Sequence, residues 1–284
     1  MTSTSAVRTT VRTWWTEGVS WLLAVLLLAA TLYGLLAEHA YRLSRSLELQ
    51  GIAQDVLTLA TIPVLLWSAR RSRGGSLPGH LLWLGTLAYL AYSYLVYAIG
   101  VPQNPAFLLY TSVLALSVTA LIDGIGRVDV RAASSAIDPR GHRGVGWFLV
   151  FFGSAFAALW LSDIVPTLGG GLPSAIGVGE LPNPVYVADL AFALPAVVAT
   201  GAALVRGHVA APVLGAVVLV KVVTLGLAIT AMATAILFDG GTPDWPVVGL
   251  VVVMIAVCTT FLSRGARRLG HPAPGWLRET LWER

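Results

Sequence analysis

The segment that decides the fold class is residues 209–237, VAAPVLGAVVLVKVVTLGLAITAMATAIL, in which Lys221 is the only charged side chain. At a rise of 1.5 Å per residue, a helix of this length crosses the hydrocarbon core of a bilayer, which is about 30 Å thick. The whole chain has a similar character, since 56% of its 284 residues are hydrophobic and only 11% are charged. Soluble domains carry about 25% charged residues. The composition therefore excludes a soluble protein and predicts an all-α membrane protein.

Seven further apolar segments are long enough to span a bilayer, which predicts eight transmembrane helices in total. We interpret the first segment as a span, because its apolar stretch is too long for a signal peptide and no convincing cleavage site follows it. The predicted spans are 18–37, 52–69, 80–100, 106–122, 145–165, 185–205, 209–237 and 246–263.

The arginines lie mainly on one side of the predicted bundle. The 18 Lys and Arg residues include one lysine, so 17 are arginines. Eight spans place Arg42 and Arg45 on one side and the other 15 arginines on the opposite side, together with both chain ends. Positive residues mark cytoplasmic loops, so both termini are expected in the cytoplasm. Abundant Ala, Val, Gly and Leu, with arginine in place of lysine, suggest a high-GC bacterial genome and hence a bacterial plasma (inner) membrane.

The chain divides into two four-helix halves, 18–127 and 145–267, which share landmarks in the same order. The second span contains Asp55 and then Pro63, and the sixth contains Asp189 and then Pro195. This correspondence predicts a 4+4 parallel internal repeat, a plan that places transporter sites at the repeat interface. The remaining regions are a basic amphipathic segment (1–17), a cytoplasmic loop (128–144) and an amphipathic cytoplasmic tail (268–284), the first and last expected on the inner membrane surface.

Lys221 is the most unusual residue, because a charge near the middle of a bilayer costs about 2.5–3.5 kcal/mol on insertion scales and calls for a partner. Asp189 lies about 10 Å away in depth, which disfavours a direct ion pair and favours a bridging water or substrate. Tyr92 lies at nearly the depth of the lysine, and a phenol can accept a hydrogen bond from an ammonium. The lysine is interpreted as a contact for a substrate anion, a proton carrier, a Schiff-base amine or a structural ammonium. A retinal pigment is disfavoured, because no carboxylate lies at the depth of the lysine.

Tyrosines and acids in the predicted outer half supply the other candidates. Tyr89 and Tyr92 share a stripe of the third span and are expected to line a polar cavity, whereas Tyr97 is interpreted as an interface anchor. Asp163 ends the fifth span, where the helix dipole opposes a carboxylate. These acids predict an outer vestibule that attracts cations, the alternative being solvated carboxylates at span ends. The candidate substrate- or ion-binding residues are Lys221, Asp189, Asp163, Tyr92, Tyr89, Glu38 and Asp55.

Several classes of site are excluded or unsupported. Cys258 is the single cysteine, which excludes a disulfide framework and a thiolate cluster, and the five histidines lack metal-ligand spacing. Lys221 follows a valine, so no phosphate-binding GxxxxGK motif exists. We therefore predict no metal, no cofactor and no nucleic-acid partner, and the catalytic residues of any enzyme activity stay unknown.

Two stretches resemble a known group of proteins. Residues 92–110, YSYLVYAIGVPQNPAFLLY, and residues 183–195, NPVYVADLAFALP, are similar to segments of a family of bacterial, largely actinobacterial, polytopic integral membrane proteins. The resemblance covers about a third of the chain. It implies the multi-span topology and marks Asp189 and Tyr92 for testing, and it implies no activity.

Three functional hypotheses follow. The first is a small-solute transporter or permease with a polar site between the two halves. The second is a membrane-embedded enzyme or a protein that binds a lipid or isoprenoid, with Lys221 and Asp189 as acid–base groups. The third is a structural or assembly subunit, whose protein partner would dock on the 123–144 loop or the C-terminal tail.

Overall fold

The computed structural model describes residues 3–171, 183–273 and 275–278, with side chains from residue 15 onward. It confirms the eight predicted spans as helices long and apolar enough to cross a membrane, and the described residues contain no β-strand. The helices are α1 (Ser3–Leu36), α2 (Arg45–Arg73), α3 (Leu77–Gly100), α4 (Phe107–Gly126), α5 (His142–Ile164), α6 (Asn183–Val205), α7 (Ala211–Phe238) and α8 (Trp245–Arg267).

Side-chain caps set several helix starts. Ser44, Ser76 and Asp244 precede α2, α3 and α8, and each side chain accepts a hydrogen bond from the backbone N–H three residues later. This bond satisfies one of the N–H groups that a helix start leaves unpaired. Asn104 instead accepts from the N–H of Ala106, so α4 begins one residue later than predicted.

Helix α7 joins the two halves. Helices α1 to α4 pack around one another, and α7 packs against both α2 and α3 as well as against α6 and α8. Val213, Val217 and Ala228 of α7 belong to the same hydrophobic core as the first four helices. Gly85 of α3 permits this approach, because a Cβ at that position would overlap the side chain of Val220. The division at 127 and 145 is therefore one of chain order, and α7 contributes to the cores of both halves.

The second core lies among α5 to α8 and includes Leu149, Phe152 and Cys258. Helices α5 and α6 cross at two glycines: a Cβ on Gly146 would lie 2.7 Å from the carbonyl oxygen of Gly201, and the reciprocal distance is 2.6 Å. Small residues are the usual means of close helix approach in membranes. The internal repeat itself stays a prediction.

The 128–144 loop and the C-terminal tail bind each other. Val128 and Leu277 form an isolated antiparallel β-bridge, and the N–H of Asp129 donates to the carbonyl of Trp276 at 2.7 Å. Trp276 is buried and packs edge-on against the ring of His80. We expected this tryptophan on the membrane surface; the pairing of the tail with the loop draws it into the protein. The rest of the predicted amphipathic tail, 279–284, lies outside the described residues, and a protein partner at this surface stays a prediction.

Candidate functional site

A cavity of about 910 Å³ lies between α2 and α3 on one side and α5 to α8 on the other. It reaches the loops at the end of the bundle predicted to be outside, where Leu43, Val101 and Thr242 line it. We call this end the mouth. Four of the seven candidate residues line the cavity: Lys221, Asp189, Asp163 and Tyr92.

Asp189 accepts a hydrogen bond on each carboxylate oxygen. The hydroxyl of Tyr92 donates to Oδ1 at 2.9 Å, and Nε1 of Trp160 donates to Oδ2 at 2.8 Å. These donors come from α3 and α5, so one carboxylate on α6 joins both halves of the protein. Asp189 is only 8% exposed, and a buried carboxylate needs hydrogen-bond donors such as these two in place of water.

A local distortion of α6 carries this carboxylate. Residues Asp189–Ala193 form a π-helical turn, in which the N–H of Leu194 donates to the carbonyl of Asp189. Pro195 explains the turn, since its ring clashes with the carbonyl four residues earlier and it has no N–H to donate. The extra residue in the turn relieves this conflict, and such turns are frequent at functional sites. The proline was visible in the sequence, but the turn was not predicted.

Lys221 faces the ring of Tyr92, with Nζ 4.1 Å from the ring centroid. Among the described residues, no hydrogen bond or ion pair engages this ammonium. A desolvated cation–π contact contributes about 2 kcal/mol, which is less than the cost of about 2.5–3.5 kcal/mol for a lysine at mid-membrane. The cavity therefore contains a cation whose three N–H donors make no hydrogen bond to the described residues.

Tyr92 occupies the space between the lysine and the carboxylate. Its ring contacts the ammonium and its hydroxyl reaches Asp189, while no ion pair joins Lys221 to Asp189 among the described side chains. The sequence predicts different depths for Lys221 and Asp189, which disfavours a direct ion pair. In the structure the phenol of Tyr92 lies between the two side chains. The arrangement keeps two opposite charges in one cavity without letting them neutralise each other by contact.

Asp163 forms a second hydrogen bond between α5 and α6. It accepts a hydrogen bond from the hydroxyl of Tyr186, whose ring lies 5.1 Å from that of Trp160. Trp160 and Asp163 are three residues apart on α5, and Tyr186 and Asp189 are three apart on α6. Each helix thus supplies one aromatic donor and one acid, and the donor of each binds the acid of the other. We call this arrangement the α5–α6 clamp. Its hydrogen bond from Tyr186 offsets the unfavourable helix dipole at Asp163, near the end of α5.

Asp55 lies behind the cavity wall. It is 2% exposed and accepts hydrogen bonds from Tyr41 and Tyr97, both of which line the cavity although Asp55 does not. A Cβ on Gly34 would overlap the Asp55 carboxylate, so this glycine makes room for it. Tyr97 was expected as an interface anchor; it is instead buried, with its hydroxyl 3.1 Å from the carbonyl oxygen of Gly51 and 3.3 Å from Oδ1 of Asp55.

The other two candidates lie apart from the cavity. Tyr89 is fully buried and accepts a hydrogen bond from Nε2 of Gln54 at 2.6 Å, so it faces α2 while Tyr92 faces the cavity. A separation of three residues turns a side chain by about 60° around the helix, which is enough to divide the predicted tyrosine stripe. Glu38 is exposed in the loop after α1 and does not line the cavity.

Tyr41, Trp160 and Tyr186 are site residues that sequence reasoning missed. Each finds its acid through a contact between different segments, so no local pattern marks it. In the described parts of the chain, no three His, Cys, Asp or Glu side chains converge as metal ligands. No protein-family model, curated protein or solved structure matches the chain.

Proposed function

We propose that this chain is a small-solute transporter of a bacterial plasma membrane, with its binding site in the cavity between the two halves. One observation carries the proposal: Lys221 and Asp189 share that cavity with Tyr92 between them, and helices from both halves line it. Apolar pockets with a few placed polar groups are typical of small-molecule sites. A charged group retained at mid-membrane despite its cost is typical of a substrate or ion pathway.

Transport requires that the site open alternately to the two sides of the membrane, and cysteine labelling tests this without knowledge of the solute. Cys258 is the single cysteine and is buried, so Cys258→Ser supplies a cysteine-free background. Leu225→Cys places a thiol in the cavity one helical turn from Lys221, and Thr242→Cys places one at the mouth. A membrane-impermeant thiosulfonate reagent is then added to right-side-out or inside-out vesicles.

We expect Leu225→Cys to react from both sides and Thr242→Cys from one side only. Val251→Cys is the control, since Val251 is fully buried in the second core and does not line the cavity. Reaction of Leu225→Cys from the mouth side alone would contradict alternating access and favour a fixed binding site.

Native mass spectrometry of the wild type, Lys221→Met and Asp189→Asn separates the remaining hypotheses. A small solute retained by the wild type and lost from both folded variants supports the transporter. A retained lipid favours the lipid-binding or enzyme hypothesis. A co-purifying protein, with no retained ligand, favours the assembly subunit.

A further inference from the structure

We infer that the cavity takes a zwitterion of the α-amino acid type, whose ammonium and carboxylate are carried by one carbon, with the carboxylate at Lys221 and the ammonium at Asp189. This inference rests on the proposed function, because it names the class of solute that the same site would bind. It follows from two features of the lining: the pair of opposite charges and the single phenol that lies between them.

The carboxylate end is assigned by Lys221. This residue is the only Lys, Arg or His among the described residues that line the cavity. Its ammonium lies over the ring of Tyr92 and makes no hydrogen bond to the described residues. The three N–H groups of an ammonium are donors, and a carboxylate oxygen forms a strong, charge-assisted bond with them. A ligand that was only a cation would repel this ammonium and leave its donors without an acceptor.

The ammonium end is assigned by Asp189, which also lines the cavity. Its carboxylate accepts one hydrogen bond from Tyr92 and one from Trp160, whereas a carboxylate has about four acceptor positions. Among the described residues no ion pair involves this carboxylate. A ligand that was only an anion would be held at Lys221 with a second negative charge near it. An ammonium on the ligand makes the same carboxylate a partner.

The close spacing of the two ends is assigned by Tyr92. Nζ of Lys221 lies 4.1 Å from the centroid of this ring, and the hydroxyl of the same ring lies 2.9 Å from Oδ1 of Asp189. One phenol therefore separates the two charges of the protein. A ligand with both charges on one carbon bridges this gap through two charge-assisted hydrogen bonds of about 2.8 Å each. A ligand with distant charges has to fold back on itself, which costs conformational entropy.

The lining next to the two charges guides the choice of probe. Val222 follows Lys221 on α7, and Leu225 and Ile229 lie about one and two turns further along the same helix. All three line the cavity, as does Phe152 of α5. An aliphatic side chain on the ligand would be removed from water against this surface, which favours binding. L-Leucine is therefore the zwitterion used as the probe.

Four probes test the assignment on the full-length wild type in nanodiscs of phosphatidylcholine, whose headgroup has no N–H donor. They are L-leucine, its isomer 6-aminohexanoate with the charges at opposite ends, 4-methylpentanoate without the ammonium, and 3-methylbutylamine without the carboxylate. Isothermal titration calorimetry measures each affinity, and empty nanodiscs correct for partition into lipid. We expect L-leucine to bind about tenfold or more tightly than each of the others, because each of them loses a charged hydrogen bond or its alignment.

Variants then assign the two ends. Lys221→Met is expected to weaken L-leucine and 4-methylpentanoate about tenfold or more and not to weaken 3-methylbutylamine. Lys221→Arg retains binding of both carboxylates. Asp189→Asn is expected to weaken L-leucine and 3-methylbutylamine and not to weaken 4-methylpentanoate.

Asp55→Asn is the matched control for Asp189→Asn. Asp55 also accepts hydrogen bonds from two aromatic side chains, but it does not line the cavity. All four affinities should therefore equal those of the wild type. A loss of L-leucine binding in a folded Asp55→Asn protein that matches the loss in Asp189→Asn would overturn the assignment of the ammonium end.

Three results on the wild type overturn the inference: a probe with a single charge binding as tightly as L-leucine, 6-aminohexanoate binding as tightly, or no binding of any probe at about 10 mM. These comparisons stand even if Lys221→Met or Asp189→Asn does not fold. Displacement of L-leucine by phosphatidylethanolamine added to the nanodisc would assign the site to a lipid headgroup and would also overturn the free amino acid.

The cysteine labelling separates a failure of this inference from a failure of the proposed function. If Leu225→Cys labels from both sides while these probes fail, the solute class is wrong and the transporter proposal survives. If labelling is one-sided while the probes bind as expected, the zwitterion site stands and transport is wrong.

Discussion

Asp55 and Asp189 are two carboxylates held in the same manner and placed in opposite surroundings. Each accepts hydrogen bonds from two aromatic donors, Tyr41 and Tyr97 for Asp55, and Tyr92 and Trp160 for Asp189. Asp55 is sealed behind the cavity wall, with no cation paired to it among the described residues. Asp189 lines the cavity, and the ring of Tyr92 separates it from an ammonium.

The difference between them shows that a pair of aromatic donors does not by itself place a carboxylate in the cavity. Asp55 uses its hydrogen bonds to tie the loop after α1 to α2 and α3, which is a structural role. Asp189 uses its bonds to hold a carboxylate in the lining of the cavity. Access to the cavity and the nearby cation distinguish the second case, and the predictions below test this division.

The largest effect is expected at the glycine beneath Asp55. In Gly34→Ala the new Cβ overlaps the carboxylate of Asp55 and the hydroxyl of Tyr41, so either the helix shifts or a buried hydrogen bond breaks. Overpacking costs about 1–3 kcal/mol and a lost charged hydrogen bond about 1.5–3 kcal/mol. We expect a loss of about 3 kcal/mol or more, measured by unfolding in mixed micelles with SDS.

Gly18→Ala is the matched control, because nothing lies within 4 Å of a Cβ at Gly18 on the same helix. It should be neutral or stabilise the protein by up to about 1 kcal/mol through helix propensity. Equal stability of the two variants would show that the Asp55 site is not tightly packed.

Neutralising Asp55 is expected to cost stability and to spare the cavity. In Asp55→Asn one tyrosine donor meets an amide N–H₂ in place of an acceptor, which costs about 1–3 kcal/mol. Labelling of Leu225→Cys should be unchanged in this variant. Glu38→Gln, at an exposed site, is the control and should change the unfolding free energy by less than about 0.5 kcal/mol. Loss of labelling in a folded Asp55→Asn protein would assign Asp55 to the site.

Lys221→Met is expected to raise the free energy of unfolding, whereas the changes at Gly34 and Asp55 lower it. Removing an ammonium that costs about 2.5–3.5 kcal/mol and recovers about 2 kcal/mol from Tyr92 should stabilise the fold by about 1 kcal/mol. Retention of a small solute in native mass spectrometry should be lost at the same time, and Lys221→Arg should restore it. The same unfolding assay measures the stability, and clear destabilisation would indicate that the ammonium is a structural group.

The smallest effect is expected at a partly exposed carboxylate, Asp129, which serves as a reference for Asp55 and Asp189. The N–H of Ala132 and the guanidinium of Arg278 lower the pKa of Asp129, and this residue ties the tail to the loop. Because the folded pKa is below the ordinary value of about 3.9, the tie is fully present above that pH. It weakens as the pH falls through the folded pKa.

A spin label on Ala273→Cys, in the Cys258→Ser background, reports this release as increased mobility below about pH 4. Asp129→Asn removes the carboxylate and should abolish the acid transition, leaving the label equally mobile below pH 4 and at pH 7. An identical transition in both proteins would assign the release to another group.

The sequence identified much of the fold and part of the site. All eight spans were predicted, because hydropathy and length are properties of each segment alone. Helix rise predicted Tyr92 at nearly the depth of Lys221, and in the structure Nζ of Lys221 lies 4.1 Å from the centroid of the Tyr92 ring. Trp160 and Tyr41 were not predicted, since each meets its acid across a gap in the chain. Asp55 and Asp189 hold corresponding positions in the two halves of the sequence. The contacts that distinguish them join distant segments, so the sequence did not show the difference.

The primary structure alone therefore determines that this is an eight-helix membrane protein with one costly lysine at mid-membrane. These properties depend on the transfer of each segment from water to lipid, which is additive along the chain. Tertiary packing alone decides that Asp189 lines the cavity, that Asp55 is sealed behind it, and that Tyr92 separates the cation from the carboxylate. Such choices depend on which helices become neighbours, and contacts between distant segments leave no periodic trace in the sequence.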